Sequence, residues 1–118
     1  MNLELTEEQT LLRDSVRTFA REQILPHAEE IDRKAEFAHE QFRAMADMGL
    51  MGVAIPEEWG GASMDHVAYA LAIEEISAAC ASCGVITSVN NSLVCDPLLR
   101  YGTDAQKEEW LKPIASGQ

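Results

Sequence analysis

A chain of 118 residues is the size of one ordinary domain and can enclose a single hydrophobic core. Its 47% hydrophobic and 25% charged residues exclude a disordered or membrane-embedded class, and no segment approaches the roughly 20 apolar residues that span a bilayer. With 20 acidic against 9 basic side chains the formal charge is −11, so the surface repels a phosphate backbone and nucleic acid is excluded as a partner.

In chain order, Thr6 followed by Gln9 makes a capping box, and Leu12, Val16, Phe19 and Ala20 recur at helical steps. This predicts an amphipathic helix from about Glu7, which either kinks at Pro26 or restarts toward Arg33. A second helix is expected from about His39 to Met48, with Gly49 closing it in the left-handed conformation. Gly52, Pro56, Gly60 and Gly61 mark a loop. Asp65 is placed to cap a long helix carrying Val67, Ala68, Leu71, Ala72, Glu75, Ile76 and Ala79 in register. Its small-residue end, SAACASCG, predicts a close helix contact. A break near Gly84, a helix through Val89 and a turn or cap at Asn90, Asn91 and Ser92 are expected next. Pro97 fits the first turn of a short helix ending at Tyr101 and Gly102. Thr103 and Gln106 repeat the capping box, and Trp110, Leu111 and Ile114 are the expected buried side of the last helix before Gly117. No alternating pair of runs is joined by a hairpin turn, so the expected fold is an all-α bundle of five or six helices.

Catalytic motifs are incomplete. Cys80 and Cys83 have the C-x-x-C spacing, but a structural zinc site needs four ligands and the second pair is missing. A dithiol redox motif belongs at a helix N-terminus, whereas these two are expected toward the end of a helix, so Cys80, Cys83 and Cys95 are read as small packing residues. His27, His39 and His66 are too widely separated for a triad and are expected at the surface or as caps. Most paired acids fall at helix starts or turns. Glu74 and Glu75 lie inside an apolar helix, where at least one is expected to be partly buried and paired with an arginine. The loop IPEEWGGAS lacks the G-x-x-x-x-G-K pattern of a phosphate cradle.

Five segments taken in order are TEEQTLLRDSVRTFAREQILPHAEEID, MADMGLMGVAIPEEWGGASMD, YALAIEEISAACAS, GVITSVNNSL and LLRYGTDAQKEEWLKPIASG. Together they cover nearly the whole chain, and it resembles the N-terminal helical domain of acyl-CoA dehydrogenases, in pattern the short-chain (butyryl-CoA) branch. The resemblance implies a three-domain parent enzyme, a homotetramer that holds FAD in its other two domains. There a glutamate takes the α-proton of an acyl-CoA thioester while the β-hydride passes to flavin, and the electrons go on to electron-transfer flavoprotein in fatty acid β-oxidation. It places the middle β-domain, the C-terminal helical domain and the glutamate base beyond Gln118, so these residues include no catalytic, flavin-binding or metal-binding group. The chain alone is expected to be inactive and free of FAD.

What the resemblance does place here is one wall of the acyl-chain pocket, on the helix carrying GVITSVNNSL. Val85, Val89 and Leu93 lie at four-residue steps with Ile86 beside the first, so one helical face can present branched apolar surface. Ordinary core is the competing reading of these four. At the level of the whole chain, the alternatives are a stand-alone helical interaction module and the same domain of an acyl-CoA oxidase. The N-terminus lacks the basic and apolar regions of a secretion signal, so the expected compartment is the cytoplasm, or the mitochondrial matrix after removal of a transit peptide.

Overall fold

The computed structural model describes residues 1–118. Eight α-helical segments follow one another: α1 (Glu7–Phe19), α2 (Ala28–Lys34), α3 (His39–Asp47), α4 (His66–Ala79), α5 (Ala81–Val89), α6 (Asp96–Tyr101), α7 (Asp104–Gln106) and α8 (Lys112–Ser116). Wider π turns at Ala20–Ile24, Asn90–Cys95 and Lys107–Leu111 join several of them, leaving five continuous helical runs and no strand. The all-α expectation of five or six helices holds.

Local signals act where the sequence puts them. Thr6 accepts from Gln9 N at 3.1 Å while Gln9 Oε1 accepts from Thr6 N at 3.0 Å, and Thr103 with Gln106 repeats the box. Asp65 accepts from Ala68 N at 2.7 Å. Gly49 (φ 76°) and Gly117 (φ 81°) close α3 and α8 in the left-handed region.

The π turns share a cause. Each ends two residues before a proline, Pro26, Pro97 or Pro113, and the residue before that proline donates five positions back: Leu25 to Ala20, Asp96 to Asn91, Lys112 to Lys107. A proline lacks the N–H and presses its ring on the carbonyl four residues earlier; opening the turn relieves both without ending the helix. The run from residue 7 to residue 34 therefore bends at Pro26 through a π turn and a 3-10 turn (Leu25–His27) rather than stopping.

Packing is concentrated where α1 and α5 lie against α4. The main core comprises Val16, Phe19 and Ile24 from the first run, Ala68, Ala72 and Ile76 from α4, Met45 from α3, and Leu50, Met51 and Val53 from the loop that follows α3. Instead of one core there is also a satellite cluster, Ile55, Cys95, Leu111 and Ala115, which anchors the C-terminal hairpin. Glu75 is the partly buried acid of its pair, with its carboxylate on Arg17 at 2.6 Å, while Glu74 is exposed. Gln9 Nε2 donates to Asp65 at 2.7 Å, so polar contacts reinforce both ends of the α1–α4 packing.

The molecule measures 41 × 40 × 20 Å. A thickness of 20 Å holds two helix layers, given axes about 8–10 Å apart, so every helix keeps an outer face. What each outer face carries becomes the functional question.

Four expectations are corrected. Gly84 does not break the chain path; the break is at Cys80 (φ −158°, ψ 114°), and Gly84 lies inside α5 where a Cβ would stand 2.1 Å from Ser77 Oγ. The glycine serves the close α4–α5 contact that the small residues predict. Asn90, Asn91 and Ser92 form no turn, because the Pro97 π turn carries the helix straight through them. Cys80 closes α4 as its C-cap and opens α5 as its N-cap, and Cys83 lies in the first turn of α5 rather than toward the end of a helix. Trp110 is 54% exposed while Leu111 is fully buried, since the last run presents Leu111 and Ala115 to the satellite cluster.

Candidate functional site

α5 reverses the usual amphipathic order. Its inward residues, continued through the π turn, are Cys83, Gly84, Thr87, Asn91 and Cys95: small or polar, and all buried. Its large aliphatic residues point the other way, with Val85 61%, Val89 40% and Leu93 68% exposed and Ile86 half-buried. Three of the four residues singled out in the sequence are thus on the surface of this domain, outside its core. A soluble helix gains by burying branched aliphatics, at about 1.5–3 kcal/mol each, and a row of them turned outward marks a surface that meets something else.

The inward face is held by polar groups. Asn91 Nδ2 donates to Leu50 O at 2.8 Å and Thr87 O at 2.9 Å, and Asn91 Oδ1 accepts from Val53 N at 2.8 Å. Asn90 Nδ2 donates to Met51 O at 2.7 Å. Leu50, Met51 and Val53 are buried in irregular backbone, whose polar groups would otherwise be orphaned. The two asparagines satisfy them, and in doing so fix the rotation of α5 that turns Val85, Val89 and Leu93 outward.

Leu93 also begins a groove of about 440 Å³ that runs over Val94, Pro97, Leu98, Tyr101 and Trp110. The hairpin turn at Gly102 brings Tyr101 and Trp110, 84% and 54% exposed, to one mouth. No charged side chain lines it, an exception on a chain of net charge −11. Sequence reasoning missed this extension. The available signal was a pair of aromatics flanking a capping box, which in antiparallel runs face one another.

No cluster of three or more His, Cys, Asp or Glu side chains is close enough to hold a metal ion. Burial drives the Cys83 thiol up to about 12 and the Cys95 thiol up to about 11. His27, His39 and His66 are exposed, each at the start of a helix. Glu75 is held below the usual carboxylate range, first by the Arg17 hydrogen bond, so it stays ionised and has no proton to exchange near neutral pH. The glycine loop is closed on itself: Gly61 N donates to Pro56 O, and a Cβ there would stand 2.0 Å from Ile55 O.

Known proteins resemble this chain in sequence and in fold. The family model described as acyl-CoA dehydrogenase, N-terminal domain, matches residues 6–118. The chain belongs to the acyl-CoA dehydrogenase family. "Probable acyl-CoA dehydrogenase YngJ" of Bacillus subtilis is 46% identical over 117 residues, covering 99% of this chain and 31% of that protein. The mitochondrial short-chain specific acyl-CoA dehydrogenase of Bos taurus is 45% identical over 116 residues, covering 98% of this chain and 28% of its own length. Among solved structures, butyryl-CoA dehydrogenase from Megasphaera elsdenii superposes with a TM-score of 0.90 at 29% identity, over 99% of this chain and 31% of that one. The chain thus spans about a third of the length of these acyl-CoA dehydrogenases.

Proposed function

We propose that this chain is the N-terminal domain of a flavin-dependent dehydrogenase of short acyl-CoA thioesters, and that the outer face of α5 is one wall of its acyl-chain pocket. The observation that carries the reading is the reversal on α5: Val85, Val89 and Leu93 are outside while Thr87 and Asn91 are inside. A wall of branched aliphatic side chains, stiff at χ1 at its two valines, excludes water and sets how far an acyl chain can extend.

FAD belongs to the parent enzyme, where it supplies the hydride acceptor. The glycine loop of this domain is bonded back on itself, Gly61 N to Pro56 O, and is not a phosphate cradle for it. The parent's glutamate base and its electron-transfer flavoprotein partner act outside these residues. Within the parent the domain works by shape and by exclusion of water.

The test is Val89→Ala in the parent enzyme, with kcat/KM measured across a series of acyl-CoA lengths. Removing two methyl groups deepens the pocket, and each methylene accommodated is worth about 1–3 kcal/mol, so the preference should move toward longer chains by tenfold or more. An unchanged preference would remove Val89 from the pocket.

A further inference from the structure

The placement of Cys80 and Cys83 opens chemistry that the proposed pocket does not use. Cys80 is the N-cap of α5 in extended backbone, and its carbonyl accepts from Gly84 N at 3.0 Å, so its Cα already lies on the helical path. Cys83 is the third residue of that helix. Cα atoms three apart on such a path are about 5–6 Å apart, within the range of about 4.4–6.8 Å that a disulfide tolerates.

The capping bond of the other helices is missing at Cys80. At the other capped helices of this chain the N-cap side chain folds back over the first turn: Thr6, Asp65 and Thr103 reach the backbone N of Gln9, Ala68 and Gln106 at 3.1, 2.7 and 3.3 Å. At Cys80 the side chain makes no such bond, so its thiol is not tied to the backbone of the turn, and it packs in the same core cluster as Cys83. They divide their roles by access. Cys80 keeps 8% exposure beside the exposed Ala81 and Ser82, while Cys83 is fully buried behind it. Cys95, also fully buried, packs in the separate satellite cluster.

We propose that Cys80 and Cys83 are a modification site, a dithiol that closes to a reversible disulfide across the first turn of α5 by exchange with a small disulfide of the oxidised-glutathione class. Cys80, its proton given to solvent, attacks one sulfur of the small disulfide; that S–S bond breaks and one small thiolate leaves. Cys83 then loses its proton and attacks the Cys80 sulfur of the mixed disulfide, expelling the second small thiolate. Two protein thiols and one small disulfide become one protein disulfide and two small thiols, the protein being oxidised and the small disulfide reduced. The second step is the slower one, because burial holds the proton on Cys83.

The experiment incubates the folded 118-residue chain with oxidised glutathione, quenches with acid and alkylates the remaining thiols for peptide mass spectrometry. The expected product has lost two hydrogens, carries a Cys80–Cys83 linked peptide, reverts fully with dithiothreitol, and leaves Cys95 alkylated only after denaturation. Cys83→Ser should stop at a glutathione adduct on Cys80 as the dominant product, and Cys80→Ser should leave Cys83 unmodified. A stable Cys80 adduct that never closes in the unsubstituted chain would overturn the proposal, as would closure only in urea or no reaction at all. The unsubstituted chain decides the matter even where a variant fails to fold, which circular dichroism reports.

Discussion

Replacing Asn91 with Leu tests whether the asparagine truly organises the inner face of α5. The substitution keeps the number of side-chain heavy atoms, so no large cavity opens, but it deletes three hydrogen bonds. Thr87 O retains the Asn90 N–H, so its loss is small. Val53 N–H and Leu50 O have no other protein partner, and both residues are 1% exposed. Each orphaned buried group costs about 1–3 kcal/mol, giving about 2–6 kcal/mol in all. Set against the 5–15 kcal/mol total of an ordinary domain, that is a severe loss. Urea unfolding with an unchanged m-value should report it as a lower midpoint, and amide exchange at Val53 should accelerate in the native state. A loss below about 1 kcal/mol with Val53 still protected would show that the loop finds its partners elsewhere and that Asn91 does not set the rotation of α5.

Other outcomes follow from single contacts. Gly84→Ala should destabilise the chain by about 1–3 kcal/mol through overpacking on Ser77, and should cost less in a Ser77→Gly background; equal losses in both would mean the α4–α5 contact is not the cause. Asp65 and Glu75 are both held below the ordinary carboxylate range, Asp65 first by Ala68 N–H and Glu75 first by Arg17. A folded-state pKa depressed below its unfolded value contributes stability above about pH 4, and that contribution is lost as pH falls through the folded value. Acidification also relieves repulsion in a chain of net charge −11, so the comparison is with the Asp65→Asn, Glu75→Gln double variant. The gap in urea midpoint between parent and variant should narrow from pH 7 to pH 3; a constant gap would detach these shifts from stability.

The readings that held depend on residues within four positions of one another. Thr6 with Gln9, Asp65 with Ala68 and Thr103 with Gln106 are capping arrangements whose donor and acceptor are both local, so the pattern fixes them. Glu75 was legible as an acid stranded in an apolar helix, although its partner Arg17 lies 58 residues away. The readings that failed needed knowledge of distant partners. Asn90 and Asn91 resemble turn residues until Leu50, Met51 and Val53 are placed beside them, 38 to 41 residues away in the chain. Gly84 resembles a breaker until Ser77 is packed against it.

By itself, the sequence determined that the chain is helical, where most helices begin and end, and which family pattern it follows, because caps, prolines and hydrophobic periodicity act over one or two turns. Only the tertiary structure decided which way α5 faces. Val85, Val89 and Leu93 read equally well as core or as surface, and periodicity cannot separate two faces that are both free of charge. The choice fell to the buried loop at residues 50–53, whose backbone groups had to be satisfied by Asn90 and Asn91. Once those asparagines are turned in, the aliphatic row has only the outside left to it.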